Sequence, residues 1–185
     1  MVGNSSTEDM ISNIRCEHFY FSRYAFEGLD YSVSRRNVSV LALSMARNNN
    51  KPIMITQQSD YKNIQNDLQS PMFPWTRPMA ESDLSRNIIT SERNFFEPSR
   101  FISRSEAFSM LMASVCMYPK AGTDLQWQKN IYDVAYQNGL TMEQWKNFAP
   151  NRNISVRELI FLTSRTADWA EKTGGCTLKP VQCEE

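Results

Sequence analysis

The second half of the chain matches itself without a gap at an offset of 52 residues (127 − 75). A run of paired positions this long indicates one structural unit that occurs twice in tandem. It limits the chain to architectures in which small, similar units stack on one another. The pairs are Trp75 with Trp127, Met79 with Ile131, Ile88 with Leu140, Phe96 with Phe148, Pro98 with Pro150, Arg100 with Arg152, Ile102 with Ile154, Ser103 with Ser155, Glu106 with Glu158 and Met110 with Leu162.

Each copy has the pattern of two helices joined by a loop. In the later copy, apolar residues such as Trp127 and Ile131 recur on one helical face, which predicts a first helix from about Trp127 to Asn138. Gly139 then ends this helix, because glycine adopts the left-handed conformation after a helix at low cost.

The second helix of each copy has a strong start signal. Ser103 and Ser155 stand where a hydroxyl accepts hydrogen bonds from free backbone amides, and Glu106 and Glu158 follow three residues later to complete a capping box. Behind each box lies an apolar run that a two-helix unit cannot bury alone. The sequence therefore predicts an all-α fold with a core shared between units, and we expect Met110, Leu111, Leu162 and Ile131 to be buried in it.

A weaker copy, which is the first along the chain, occupies 33–43. It precedes the second copy at an offset of 69 residues (102 − 33). It keeps the serine and the apolar run, but Asn37 replaces the capping-box glutamate. We therefore divide the chain into a degenerate first repeat at 1–47, a linker or insertion at 48–71, a second repeat at 72–118, a third repeat at 119–172 and a tail at 173–185.

Charge and hydropathy exclude two classes of partner. Twenty Lys plus Arg balance twenty Asp plus Glu, so the positive field that draws proteins to nucleic acid is absent. No stretch approaches the roughly 20 apolar residues that a membrane span needs, and the polar first residues lack the apolar segment of a signal peptide. We expect neither a nucleic-acid partner nor a membrane span, and the cellular location must be inferred from the motifs.

The cysteines indicate a disulfide more than a metal site. The chain has no C-x-x-C pair and a single histidine, which does not favour zinc. Cys176 and Cys183 flank a short tail segment that contains Pro180, and their spacing suits a local disulfide in an exported protein. Three pairings of four cysteines, and reduced thiols, stay open. The four are Cys16, Cys116, Cys176 and Cys183.

The loop before each capping box resembles the S-layer homology family, whose units carry F-x-P-x-x-x-I-[ST]-R-x-E ahead of the second helix. The segment from Phe96 to Glu106 fits this pattern throughout. The segment from Phe148 to Glu158 fits except that Val156 takes the arginine position and Arg157 follows it.

This resemblance implies a pseudo-threefold bundle of three helical-hairpin units with grooves between neighbours. It also implies non-covalent attachment to cell-wall polysaccharide or peptidoglycan-linked glycan at the cell surface, outside the cell, without catalysis and without a cofactor. In the family, the motif arginine meets acidic groups of the glycan, which points to Arg104 and, in the first copy, Arg35. A guanidinium presents a planar fork of donors to a carboxylate. In the third copy Arg157 is the candidate, displaced by about 100° around the helix.

Several candidate residues have two interpretations. Trp75 and Trp127 can stack on sugar rings, but their helical phase favours core positions. Ser103 and Ser155, at the [ST] position of the motif, can contact the ligand or act only as helix caps. Glu106 and Glu158 could suggest a glycosidase pair, but the capping boxes account for both.

Two classes of function are therefore weighed: a glycan-binding wall anchor, and a structural module that contacts other protein chains of a surface layer. Basic, polar grooves between units favour the glycan, whereas apolar grooves favour a protein partner.

Overall fold

The computed structural model describes residues 29–48, 84, 97 and 99–177. Within these residues the regular structure is helical, and the only β-type pairings are isolated bridges, so the predicted all-α class is confirmed for this part of the chain. No helix in the described part is long and apolar enough to cross a membrane. The helices are α1 Arg35–Asn48, α2 Arg104–Ser114, α3 Asp124–Gln137, α4 Trp145–Phe148 and α5 Val156–Thr173, followed by a 3-10 turn at Gly175–Thr177.

Both predicted capping boxes are present. The Ser103 hydroxyl accepts a hydrogen bond from the Glu106 amide at 3.3 Å, and the Glu106 carboxylate accepts one from the Ser103 amide at 2.9 Å. The corresponding distances for Ser155 and Glu158 are 3.3 and 3.0 Å. The helices α2 and α5 therefore begin where the sequence predicts.

Replacing Ser155 with alanine should lower the free energy of unfolding by about 1 kcal/mol, because the amide of Glu158 loses its acceptor. Urea unfolding measures the loss. The matched control is Ser155→Thr, which keeps a hydroxyl at the cap and should retain most of the stability. Equal losses in the two variants would contradict a capping role.

The helix α3 begins three residues earlier than expected, at Asp124, and ends as predicted. Asn138 is its C-cap, and Gly139 follows with a φ of 73°, in the left-handed region. The Leu140 amide then donates to the Ala135 carbonyl at 2.8 Å. This closure turns the chain away from the helix and leads it into the loop that precedes α4.

One hydrophobic core joins the helices. The four side chains expected to be buried are so: Met110 and Leu111 are 0% exposed, Ile131 is 1% exposed and Leu162 is 2% exposed. They belong to the same cluster as apolar residues of α1, such as Met45. The core is therefore shared between segments that are distant in the sequence, as the unpartnered apolar runs predict.

The loops ahead of α1, α2 and α5 bond to one another in a closed cycle. The Val33 amide donates to the Ile154 carbonyl at 3.1 Å, the Ile154 amide donates to Ile102 at 3.1 Å, and the Ile102 amide donates to Val33 at 2.9 Å. All three side chains are buried. The three residues are related by the offsets of 69 and 52, so the weak first copy makes the same backbone contacts as the other two.

A second set of three hydrogen bonds repeats at the same offsets. Each amide just past a helix start donates to a carbonyl of a neighbouring loop. The bonds are Arg35 to Arg100 at 2.9 Å, Arg104 to Arg152 at 2.9 Å and Val156 to Tyr31 at 3.0 Å. Six backbone bonds thus hold the three loops together at the N-terminal ends of these helices.

The expected disulfide between Cys176 and Cys183 is wrong, because Cys176 pairs with Cys116, with their Cα atoms 5.0 Å apart. After α5, Gly174 and Gly175 both have positive φ and turn the chain. This turn brings Cys176 beside the end of α2, where its sulfur lies 3.9 Å from the Ser114 carbonyl oxygen. Cys183 lies outside the described residues.

Candidate functional site

A cavity of about 210 Å³ opens between α2, α5 and the loop that follows Gly139. Its lining combines an apolar surface with two arginines and two glutamates. The apolar part consists of Phe108, Leu140, Met142, Phe161 and Leu162, and the polar part of Arg104, Thr141, Glu143, Glu158 and Arg165. The cavity therefore lies between the second and third copies of the sequence repeat.

Arg104 is held in the cavity wall on several sides. Its Nη2 lies 2.7 Å from the Glu143 carboxylate, and its Nε lies 3.3 Å from that of Glu158. Its Nη1 donates to the Phe148 carbonyl, and its Cζ lies 4.6 Å from the centroid of the Phe148 ring. The side chain is only 5% exposed, so α2 presents a positive charge that is already surrounded by acceptors.

Glu158 stays ionised because it has cationic partners on two sides. Burial alone would raise its pKa, but the hydrogen bonds from Arg152 and from the Ser155 amide, with the charges of Arg104 and Arg152, together hold the pKa below its ordinary value. Arg152 donates to Glu158 at 3.0 Å. Glu158 therefore keeps an ion-pair partner, Arg152, even if its contact with Arg104 is broken.

Arg35 and Glu106 form the equivalent pair between the first and second units. Nη2 of Arg35 lies 2.6 Å from the Glu106 carboxylate, which Arg100 also contacts at 2.6 Å. Burial would raise the Glu106 pKa, but the charge of Arg35, the Ser103 amide and Arg100 hold it below its ordinary value. In both interfaces, the arginine after one cap pairs with the capping-box glutamate of the next unit.

The third interface lacks both members of this pair. Val156 stands at the arginine position of the third unit and is buried, and Asn37 stands at the glutamate position of the first unit and is exposed. Arg157 lies at the surface instead, with its Nε 3.5 Å from the Asp30 carboxylate. The two departures from the motif thus occur at the two positions that form the ion pair between the other copies.

Among the predicted ligand-binding residues that the structure describes, only Arg104 lines the cavity. Arg35 is 1% exposed, so its guanidinium offers no surface to a glycan, and it is corrected from a groove residue to a buried ion-pair partner. Arg157 is exposed but does not line the cavity. Trp127 packs half-buried against the core, as the core interpretation predicts, and Trp75 lies outside the described residues.

Ser103 and Ser155 are not brought to the cavity either, because their hydroxyls serve the helix caps. Glu143 and Arg165 also line the cavity, and neither belongs to the set of ligand-binding residues predicted from the sequence. Arg165 donates to the Gly139 carbonyl at 3.1 Å. At the offset of 52 their counterparts are Ser91 and Ala113, so comparing the copies gives no signal for either charge.

No protein-family model matches the chain, and no curated protein matches its sequence.

Proposed function

We propose that the chain is a bundle of three S-layer-homology-like units around a pseudo-threefold axis. The support is the cycle of hydrogen bonds among Val33, Ile102 and Ile154, together with the second set of three bonds at the same offsets. A closed cycle between equivalent positions is what units related by rotation about one axis would make.

We further propose that this bundle is a non-catalytic module that binds acidic cell-wall polysaccharide or peptidoglycan-linked glycan at the cell surface. The observation that carries the proposal is the position of Arg104, the motif arginine, in the wall of a cavity between two units. Phe108 and Phe161 supply apolar surface beside it for the non-polar face of a sugar ring. A guanidinium with adjacent aromatic surface is a suitable site for a carboxylated sugar.

Two further observations support an extracellular, non-catalytic protein. The disulfide between Cys116 and Cys176 is typical of proteins that fold in an oxidising compartment. Glu106 and Glu158 each serve a helix cap and accept from arginine, and these contacts account for both carboxylates without a catalytic role.

Replacing Arg104 with alanine should weaken binding to solubilised cell-wall glycan by more than tenfold. A charge-assisted hydrogen bond contributes about 1.5 to 3 kcal/mol, and 1.4 kcal/mol corresponds to a factor of ten. Calorimetric titration of purified wall fragments measures the affinity, and circular dichroism checks that the helices remain.

The matched control is Arg100→Ala. Arg100 is also an ion-paired arginine of the second unit, but it does not line the cavity. The Arg100→Ala variant should leave the affinity within about a factor of two, since Arg100 lies outside the proposed site. If the Arg104 and Arg100 variants hold wall fragments as tightly as the parent, the cavity is not the glycan site.

The second candidate is a structural module that packs against other protein chains of a surface layer. It is favoured by exposed apolar side chains: Met142 at the cavity is 75% exposed and Tyr31 is 74% exposed. Failure of the parent protein to bind any wall fragment, with self-association in sedimentation that Met142→Ser abolishes, would favour this function over glycan binding.

A further inference from the structure

The contact between Glu143 and Arg104 differs from the other contacts of that arginine. Nη1 of Arg104 donates to the carbonyl of the buried Phe148, and its Nε lies 3.3 Å from the Glu158 carboxylate. Nη2 faces Glu143, whose side chain is 45% exposed, whereas that of Glu158 is 25% exposed. Glu143 is therefore the partner of Arg104 that is most accessible to solvent.

The backbone of Glu143 is fixed although its side chain reaches solvent. The Tyr132 hydroxyl donates to the Glu143 carbonyl at 2.9 Å, and the Glu143 amide donates to the Thr141 hydroxyl at 3.3 Å. Tyr132 itself is 6% exposed and packs in the core. The carboxylate can thus leave Arg104 by rotation about side-chain bonds while the loop keeps its position.

We infer that Glu143 is a gating carboxylate: it occupies the position that the acidic group of a ligand takes on Arg104, and ligand binding exchanges one carboxylate for the other. This inference rests on the proposed function and adds the regulation of the same site. The exchange keeps Arg104 paired throughout, and Glu158 retains Arg152. The displaced Glu143 moves into water, and the carboxylate of the ligand replaces it on the guanidinium, which is only 5% exposed.

The exchange also gives the cavity a basis for selecting its ligand. A sugar with a carboxylate provides Nη2 of Arg104 with a negatively charged acceptor in place of the Glu143 carboxylate. A neutral sugar that displaced Glu143 would provide Nη2 with no such acceptor. Discrimination of this kind uses a penalty against the wrong ligand as well as an attraction to the right one. The chemical class that the cavity accepts is therefore a hexose that bears a carboxylate.

The test compares the full-length parent with Glu143→Gln, which removes the charge and keeps nearly the same shape. The probes are N-acetylmuramic acid, which carries a carboxylate, and N-acetylglucosamine, which does not, titrated at low salt with amide chemical shifts as the readout. We expect Glu143→Gln to bind the acidic sugar about tenfold more tightly than the parent, because no internal carboxylate competes for Arg104. The neutral sugar should bind more weakly than the acidic sugar to both proteins, because it brings no carboxylate to Arg104.

The matched control is Glu171→Gln, which removes one negative charge from an exposed position of α5 away from the cavity. If Glu171→Gln increased the affinity for the acidic sugar as much as Glu143→Gln, the change in net charge would explain the effect, and the gate would be overturned. Unchanged or weaker binding of the acidic sugar by Glu143→Gln, with binding lost in Arg104→Ala, would overturn the gate and leave the proposed function standing. Absence of binding in the parent and in Glu143→Gln alike would overturn both.

Discussion

Replacing Glu106 with alanine is expected to lower the free energy of unfolding by about 3 to 5 kcal/mol, among the largest effects of any single substitution in the described part of the chain. The variant removes the carboxylate that lies 2.6 Å from the guanidinium of Arg35, whose side chain is 1% exposed. Removing one member of a buried ion pair is strongly destabilising, because the attraction that offset the desolvation of the other charge is lost. Equilibrium unfolding in urea measures the change.

The matched control is Glu158→Ala, at the equivalent position of the third unit. It removes the same half of a capping box, but Arg104 keeps its contact with Glu143. We therefore expect a smaller loss, and the difference between the two variants measures the contribution of the ion pair between Arg35 and Glu106. Equal losses would mean that the cap, and not the buried ion pair, determines the effect.

The third interface suggests how to recover the stability lost in that variant. Because Val156 and Asn37 stand where the other interfaces have arginine and glutamate, the double substitution Arg35→Val with Glu106→Asn reproduces the third interface at the first. Replacing both members of a buried ion pair is often neutral, whereas removing one is costly. The double variant should therefore unfold at a higher urea concentration than Glu106→Ala. A double variant as unstable as the single one would contradict this account.

The same pairs predict how stability depends on pH. The pKa values of Glu106 and Glu158 are lower in the folded protein than their ordinary values. A carboxyl group with a lowered folded pKa contributes stability that is present above its unfolded pKa and is lost as the pH falls through its folded pKa. Acidification should therefore destabilise the parent protein, and Glu106→Ala should lose less stability than the parent over that acidic range.

How much of this structure follows from sequence depends on the range of each interaction. The capping boxes at Ser103 and Ser155 and the glycine that follows α3 depend on residues within a few positions, so their patterns are sufficient to predict them. The buried faces follow from helical periodicity together with the need to cover an apolar run. These features account for the correct starts of α2 and α5 and for the correct core residues.

The cavity is different because its charges come from separated segments. Arg104 and Glu143 are 39 residues apart (143 − 104), and Arg35 and Glu106 are 71 apart. No local sequence pattern predicts which acidic residue will form an ion pair with a given arginine. The motif therefore singled out Arg104 and Arg35 as equivalents, whereas packing places one in a cavity wall and the other in the core.

The disulfide gives the second large prediction. Removing it by Cys176→Ser should lower the free energy of unfolding by about 4 kcal/mol, because the cross-link joins residues 60 apart and restricts the unfolded chain accordingly. It ties the end of α2 to the segment after α5, so its loss also frees the C-terminal turn from the second unit. Thermal unfolding with and without reductant measures the effect, which reductant should reproduce in the parent.

The controls separate this disulfide from the pairing that the cysteine spacing suggested. Cys116→Ser should match Cys176→Ser, because each removes the same cross-link. Cys183→Ser should leave the unfolding temperature of the oxidised protein unchanged, since the stabilising bond does not include it. A loss with Cys183→Ser and none with Cys116→Ser would instead establish the local bond between Cys176 and Cys183 and remove the cross-link between α2 and the C-terminal turn.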